Sequence, residues 1–196
     1  LNYFPLTEFA NSVNKASEKL TLVWFSQYIS FERGLEQIIP AIKNNDQLEL
    51  HLFGNCDENF RKQWLSDSNN IQWHPSLPQS ELHHRLAYYD VGLAIEPGKD
   101  LNNKLAVSNK MLAYFQAGLY ILASNTKAQE KFIKEHSEYG MLTSLSCEDL
   151  KQTIQKLIEK KQSLRASSNT RYETGKKYGW EHESEKLTTI WEEMNH

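Results

Sequence analysis

Apolar residues along this chain follow two alternating habits. Short apolar runs occur at residues 21–25 (TLVWF), 48–53 (LELHLF), 71–73 (IQW), 91–95 (VGLAI), 119–123 (LYILA) and 141–143 (MLT). Between them the spacing becomes helical. Leu35, Ile38, Ile39 and Ile42 fall at i, i+3, i+4 and i+7, Leu82, Leu86 and Tyr89 share one face, and so do Phe60 and Trp64. Runs that recur about every 20 to 30 residues, each followed by a helix-sized segment, predict βαβ units and a parallel sheet. Right-handed crossovers then give a doubly wound α/β fold with helices on both faces.

After residue 147 the strand-like runs stop. Leu150, Ile154, Leu157 and Ile158 make one helical face, and the polar stretch 160–177 reads as further helix. Gly179-Trp180 breaks it, and Leu187, Ile190, Trp191 and Met194 mark a final amphipathic helix, expected to cover apolar surface of the same domain. Residues 1–20 read as a linker, because Tyr3 and Phe4 precede Pro5 and a residue before proline is pushed into extended backbone. The expected organisation is a linker (1–20), one α/β domain (21–178) and a C-terminal helix (179–196).

Composition narrows the classes. The 196 residues carry 22 Lys+Arg and 25 Asp+Glu, a net charge of −3, with 39% hydrophobic residues. That is an ordinary globular balance, with no basic excess of the kind that grips nucleic acid. Cys56 and Cys147 are isolated and form no CxxC, so they read as reduced thiols of a cytosolic chain. The longest uncharged stretch, 111–126, is 16 residues and contains Gln116, Gly118, Ser124 and Asn125, too short and polar to span a bilayer. No apolar leader opens the chain, and a first residue other than Met is expected of a piece of a longer protein.

An open parallel sheet binds ligands beyond the C-terminal ends of its strands, where strand order reverses. The loops there are 26–34 and 96–109, holding Gln27, Glu32, Arg33, Glu96, Lys99, Lys104, Ser108 and Asn109. No GxGxxG follows the first strand, there is no GxxxxGK[ST], and no DxD is present to hold a metal on a diphosphate. The seven histidines are scattered; the adjacent pair His83-His84 reads as solvent-facing. What remains is a helix start. Ser108-Asn109 can cap a helix ending at Gly118, and its free N–H groups and dipole form an anion site. Lys110 in that first turn opposes the dipole, which points to an anionic ligand.

With these residues in view, the chain resembles the C-terminal, donor-binding half of GT-B glycosyltransferases of the family 4 (group 1) type. The stretch 22–36, from Leu22-Val-Trp-Phe-Ser-Gln27 to Glu32-Arg-Gly-Leu-Glu36, is similar to the family's "vGR…KG" segment. Residues 71–75, 80–82 and 89–93 are similar to its "v.f.G…el..ly…aDvgl" stretch. Residues 108–118 followed by 121–124 are similar to "pNKlfEYlaaGkPvias", and Gly179-Trp-Glu181 to its closing "fsWe" element.

The resemblance implies a Rossmann-like six-stranded sheet over residues 21–145 in the order 3-2-1-4-5-6, with a helix from Asp149 packed on it. It also implies a retaining hexosyltransferase whose substrate is a nucleotide-diphosphate sugar and which needs no cofactor and no metal. Arg33 stands where a cation meets the donor diphosphate and Glu96 where a glutamate meets the donor sugar; Ser108, Asn109 and Lys110 would hold the distal phosphate. Arg33, Glu96 and Lys110 are thus the catalytic candidates, and Ser26, Gln27, His74, Leu77 and Ala113 complete the donor site, with the 74–77 loop beside the base.

Three features depart from the pattern. Gln27 and Ser26 replace an Arg and a Gly, Ala113 replaces the glutamate that accepts both ribose hydroxyls, and the acceptor domain is not in the chain. The implied partners are the donor and an N-terminal Rossmann-like domain of the same chain. Nucleic acid is not expected, and contact with membrane is at most peripheral. The implied role is polysaccharide or lipid-linked glycan synthesis in the cytoplasm or at the inner membrane face. Two other readings stay open: a non-catalytic binding module that has lost ribose recognition, motivated by Gln27 and Ala113, and an unrelated Rossmann-type or flavodoxin-like protein. A glutamate at 113 is expected to tighten nucleotide binding.

Overall fold

Each of the six apolar runs is a strand in the computed structural model, which describes residues 2–11, 13, 17–97 and 106–194. The strands are β1 Leu20–Ile29, β2 Leu48–Cys56, β3 Ile71–His74, β4 Val91–Ala94, β5 Tyr120–Ser124 and β6 Gly140–Thr143. All pair in parallel, in the order β3-β2-β1-β4-β5-β6. The order reverses between β1 and β4, where Leu22 pairs with Val91. The helices are α1 Leu35–Ile42, α2 Glu58–Phe60 continuing as a π-turn over Arg61–Leu65, α3 Gln79–Arg85 and α4 Asn109–Gln116. They continue as α5 Lys127–Glu135, α6 Cys147–Glu159, α7 Lys161–Ala166, α8 Ser168–Gly175 and α9 Trp180–Met194.

Side chains alternate across the sheet, so each strand feeds two cores. Leu22, Trp24, Leu50, Leu52, Val91 and Leu93 pack with α1 and α6 on one face. Val23, Phe53, Ala94 and Ile121 pack with α3, α4 and α5 on the other. The helical stripe of α1 is fully buried, as its spacing requires, and Leu150, Ile154 and Leu157 of α6 join the same core. Fully burying one such Leu or Ile stabilises the fold by roughly 1.5–3 kcal/mol.

The N-terminal edge of the sheet is held by one buried carboxylate. Asp90, just before β4, accepts from the Thr21 backbone N–H (2.9 Å) and hydroxyl (3.0 Å) of β1. It also accepts from Nε and Nη2 of Arg165 on α7, at 3.0 and 2.9 Å. Arg165 donates further to the Ser17 and Lys19 carbonyls, so four of its five N–H groups are engaged. Residues 3–9 pack against the sheet's second core: Tyr3 and Phe9 are buried, and Gln116 bonds both the N–H and the carbonyl of Phe4 at 2.9 Å.

Two expectations are corrected. β1 continues to Ile29, so Ser26 and Gln27 belong to the strand and not to the loop; a bulge between Phe25 and Tyr28 turns them out of the ladder. Gly54 of β2, with φ +148°, makes room for it, since a Cβ there would stand 2.2 Å from the Ser26 carbonyl oxygen. The second correction concerns α9. Its first turn is tied down, with Trp180 N–H donating to Phe4 O (3.1 Å) and Glu181 accepting from Leu6 N–H (3.0 Å). Beyond that turn, Leu187, Trp191 and Met194 are 57%, 69% and 77% exposed and do not cover this domain; the side chain of Ile190 lies outside the described residues. Helical spacing shows that a face is apolar, but says nothing about which surface covers it. Among the described residues no helix is long and apolar enough to cross a membrane.

Helix and sheet approach closely at the switch point. The Tyr114 ring of α4 lies directly over Gly92 of β4, where a Cβ would meet ring carbons at 2.2–2.5 Å. Tyr114 donates its hydroxyl to the Val23 carbonyl at 3.3 Å, crossing from β4 to β1. Burial pushes this phenol far above its ordinary pKa, so it stays a donor at any physiological pH. Gly92→Ala is therefore expected to overpack the site and cost roughly 1–3 kcal/mol. Urea unfolding checks this, a drop in midpoint at unchanged slope being the expected result.

Candidate functional site

A cleft of about 870 Å³ opens along the C-terminal ends of the strands, astride the β1/β4 switch. The bulged end of β1 contributes Ser26, Gln27 and Tyr28, and the segment entering α4 contributes 106–110. The loop after β3 supplies Ser76 and Leu77, and α3 supplies Leu82 and His83. A second hollow of about 1020 Å³ lies at the opposite edge of the sheet. Its principal cations are already engaged: Arg165 holds Asp90, and Lys161 donates to the Glu18 carbonyl. Among the described residues, the first cleft is the one that combines the topological position with groups left available for a ligand.

Ser108 is the cap of α4: its Oγ accepts from the Met111 N–H at 3.3 Å. The N–H groups of Asn109 and Lys110, at the first two helical positions, have no intrahelical acceptor and sit on the cleft lining. Lys110 spans the cleft floor. Its Nζ is 3.0 Å from Glu96 Oε1, with the two side chains 18% and 14% exposed, and lies 5.4 Å above the Trp24 ring. The ion pair explains how a cation persists at the positive end of a helix: Glu96 compensates it from within the protein, and no ligand is required for that. Glu96 is fixed in turn, its N–H donating to Ser124 Oγ (2.9 Å), which donates to Gln129 Oε1 (2.9 Å).

Arg33 stands on a short loop between β1 and α1. Glu36 in the first turn of α1 reaches back to accept from the Glu32 N–H, and Glu32 itself takes a left-handed φ of 66°. A non-glycine residue there is strained, and the Glu36 contact holds it. Arg33 is exposed on the cleft and has no carboxylate within ion-pair distance among the described residues. Since Lys110 is neutralised by Glu96, Arg33 is the free cation of the described cleft. Lys99 and Lys104 lie outside the described residues.

The structure thus gathers Ser26, Gln27, Arg33, Leu77, Glu96, Ser108, Asn109 and Lys110 around one cleft. It does not bring His74 or Ala113 to the lining. His74 ends β3 with its ring stacked on Phe53 (4.5 Å) and its Nε2 2.9 Å from His51 Nδ1. Burial lowers the pKa of both histidines, so the pair shares a hydrogen bond between neutral rings. Ala113 is fully buried inside α4. Conversely, His83, read from sequence as solvent-facing, is 2% exposed and joins the cleft wall, while its neighbour His84 is exposed. The helical stripe at Leu82 and Leu86 held the signal, since position 83 flanks it on the face toward residues 4–9. Among the described residues, no three His, Cys, Asp or Glu side chains converge as metal ligands would.

The backbone as a whole is similar to parts or the whole of solved glycosyltransferase chains. Sucrose-phosphate synthase from Thermosynechococcus elongatus matches with a TM-score of 0.71 at 16% identity, over 98% of this chain and 51% of that one. HepE of Anabaena, solved in complex with UDP, matches with a TM-score of 0.66 at 15% identity, over 96% of this chain and 56% of that one. The catalytic domain of the Helicobacter pylori cholesterol-α-glucosyltransferase matches with a TM-score of 0.59 at 15% identity, over 81% of this chain and 98% of that one. No protein-family model and no curated protein matches the sequence. The fold is that of a GT-B C-terminal domain, and the chain spans about half the length of the first two of these proteins.

The burial of Ala113 changes what a glutamate there should do. The longer side chain enters packed core before it reaches the cleft, carrying a charge without a partner. Ala113→Glu is expected to destabilise the fold by roughly 3–5 kcal/mol. A thermal melt checks it, and an unchanged melting temperature with tighter nucleotide binding would restore the ribose role.

Proposed function

We propose that this chain is the donor-binding half of a retaining GT-B hexosyltransferase, and that the cleft holds a nucleotide-diphosphate sugar. The observation that carries the reading is the convergence of a free cation, Arg33, with the capped start of α4 at the switch point. When a glycosyl bond to a diphosphate breaks, negative charge grows on the departing phosphate. Arg33 and the N–H groups of Asn109 and Lys110 are fixed donors that would meet that charge without reorganising. Glu96, anchored through Ser124, would accept from hydroxyls of the donor sugar, and Lys110, 3.0 Å away, holds that carboxylate in place. His74, behind Phe53, would shape the base end indirectly.

The reading is supported by HepE, whose structure was solved with UDP. It also accounts for α9, whose exposed Leu187, Trp191 and Met194 suit a helix crossing to the other, N-terminal half, where the acceptor would bind. A polysaccharide or lipid-linked acceptor in the cytoplasm, at or near the inner membrane face, belongs to the same proposal. The Lys110–Glu96 pair favours one second reading: with Gln27 in place of a cation, the cleft keeps few charges for a diphosphate, as a binding module without transfer would. Glycosyl transfer by the two halves together separates the readings.

Calorimetric titration of UDP and GDP tests the site. One of them is expected to bind, and Arg33→Ala is expected to weaken that binding by about ten- to a hundredfold, the range of one charge-assisted hydrogen bond. The melting temperature should hardly move, since an exposed arginine without an ion pair contributes little to the fold. Equal affinities for the two proteins would remove Arg33 from the site, and failure of both nucleotides to bind would remove the donor-site reading.

A further inference from the structure

His83 is the buried histidine of the cleft wall. Its ring stacks on Phe9 (4.9 Å, 9° between planes) and meets the edges of Phe4 at 4.5 Å and Phe25 at 6.5 Å. Nδ1 lies 2.6 Å from Glu8 Oε2, and the same carboxylate accepts from Gln79 Nε2 at 3.1 Å to each oxygen. A carboxylate only accepts, so Nδ1 carries the proton and the neutral ring presents Nε2 as a lone pair. The neutral form is the stable one: burial among three phenylalanines lowers the pKa by more than Glu8, the one charged group acting on the ring, raises it.

Nε2 has no hydrogen-bond partner among the described residues, yet it is not one of the polar atoms sealed in the interior without one. The small exposed part of this ring therefore opens on the cleft that the ring lines. A largely desolvated acceptor in a ligand cleft discriminates sharply, because a ligand without a matching donor leaves it unpaired.

We propose that His83 Nε2 accepts a hydrogen bond from an N–H or O–H on the nucleoside half of the bound nucleotide, with Glu8 fixing the tautomer that makes this possible. The inference rests on the donor-site reading above. The wall formed by Ser76, Leu77, Gln79, Leu82 and His83 comes from the β3–α3 loop and α3, separate elements from the β1–α1 loop and the start of α4 that would hold the phosphates, so it is assigned to base or ribose. Two groups share the required chemistry: the imide N–H of a uracil or guanine base, and a ribose hydroxyl. A purely structural role, with the Glu8–His83 pair only fastening residues 6–8 to α3, predicts no dependence on either.

The test uses whichever of UDP and GDP binds, beside two analogues: one methylated at the imide nitrogen (3-methyl-UDP or 1-methyl-GDP) and one lacking both ribose hydroxyls. Each is titrated into the wild-type chain and into His83→Phe, which keeps a ring on Phe9 but offers no acceptor. The wild type is expected to bind one analogue about tenfold more weakly than the parent, and His83→Phe to abolish that difference. The analogue affected identifies base or ribose. Wild-type protein that binds all three equally, or a penalty that persists in His83→Phe, overturns the inference and leaves the donor site standing; failure of both parent nucleotides to bind overturns the two together. Should His83→Phe melt below the working temperature, the 15N resonance of His83 Nε2 in the wild type decides. It should shift on saturation with the parent nucleotide and not with the discriminated analogue, and an Nε2 signal indifferent to the parent nucleotide ends the proposal.

Discussion

The geometry of the cleft depends on one absence, the missing side chain of Gly92. Because β4 presents a bare backbone there, the Tyr114 ring can lie against it and reach the Val23 carbonyl of β1. That contact clamps α4 across the two strands where the sheet order reverses. Everything at the helix start follows from it: the depth of Ser108, the placement of the two free N–H groups, and the reach of Lys110 over Trp24 to Glu96. A helix seated an ångström or two higher would still be a helix on a sheet. Its N-terminus would no longer share a cleft with Arg33.

Charge in the cleft is arranged by pairing as well as by position. Lys110 and Glu96 neutralise each other with both side chains largely buried, an arrangement in which removing one partner is far more disruptive than keeping the pair. The pair therefore works as a fixed dipole on the cleft floor that holds the Glu96 carboxylate in place. An anionic ligand is left to Arg33 and to backbone N–H groups. Peptide groups lose no rotamer freedom on binding and a helix start holds them in place, so much of the recognition would be preorganised.

Much of this was legible in the amino-acid sequence, and the reason is periodicity. A parallel strand buried on both faces leaves an apolar run, and a crossover helix leaves a stripe, so six strands could be anticipated from 21–25 to 141–143; their order was implied by the family resemblance and not by the periodicity. The Ser108 cap was legible too, because capping is a local hydrogen bond. What escaped was non-local. The bulge at Ser26 depends on Gly54, a residue on the neighbouring strand. The partner of Lys110 is Glu96, fourteen positions earlier, and only the fold brings them together. His83 looked like half of a surface pair until residues 4–9 came back over α3 to bury it. The stripe on α9 was read correctly as apolar and wrongly as covered, since amphipathicity carries no address.

The two edges of the sheet are finished differently, and the contrast bears on where function lies. At the N-terminal edge, Asp90 and Arg165 satisfy each other and then use their remaining capacity on Thr21, Ser17 and Lys19. At the C-terminal edge, polar capacity is left over. Among the described residues, Arg33 has no ion-pair partner, the Asn109 and Lys110 N–H groups have no acceptor, and His83 Nε2 has no hydrogen-bond partner. Among the described residues, Trp24 Nε1, Glu36 Oε2, Trp64 Nε1, Thr126 Oγ1 and Gln129 Nε2 are also buried without partners. A fold selected for stability alone would spend these groups on internal bonds, as the opposite edge does. Leaving them open costs stability that Asp90 and the two cores must offset. A ligand that paired with these groups would return that cost, which is the physical case for the proposed site at the β1/β4 cleft.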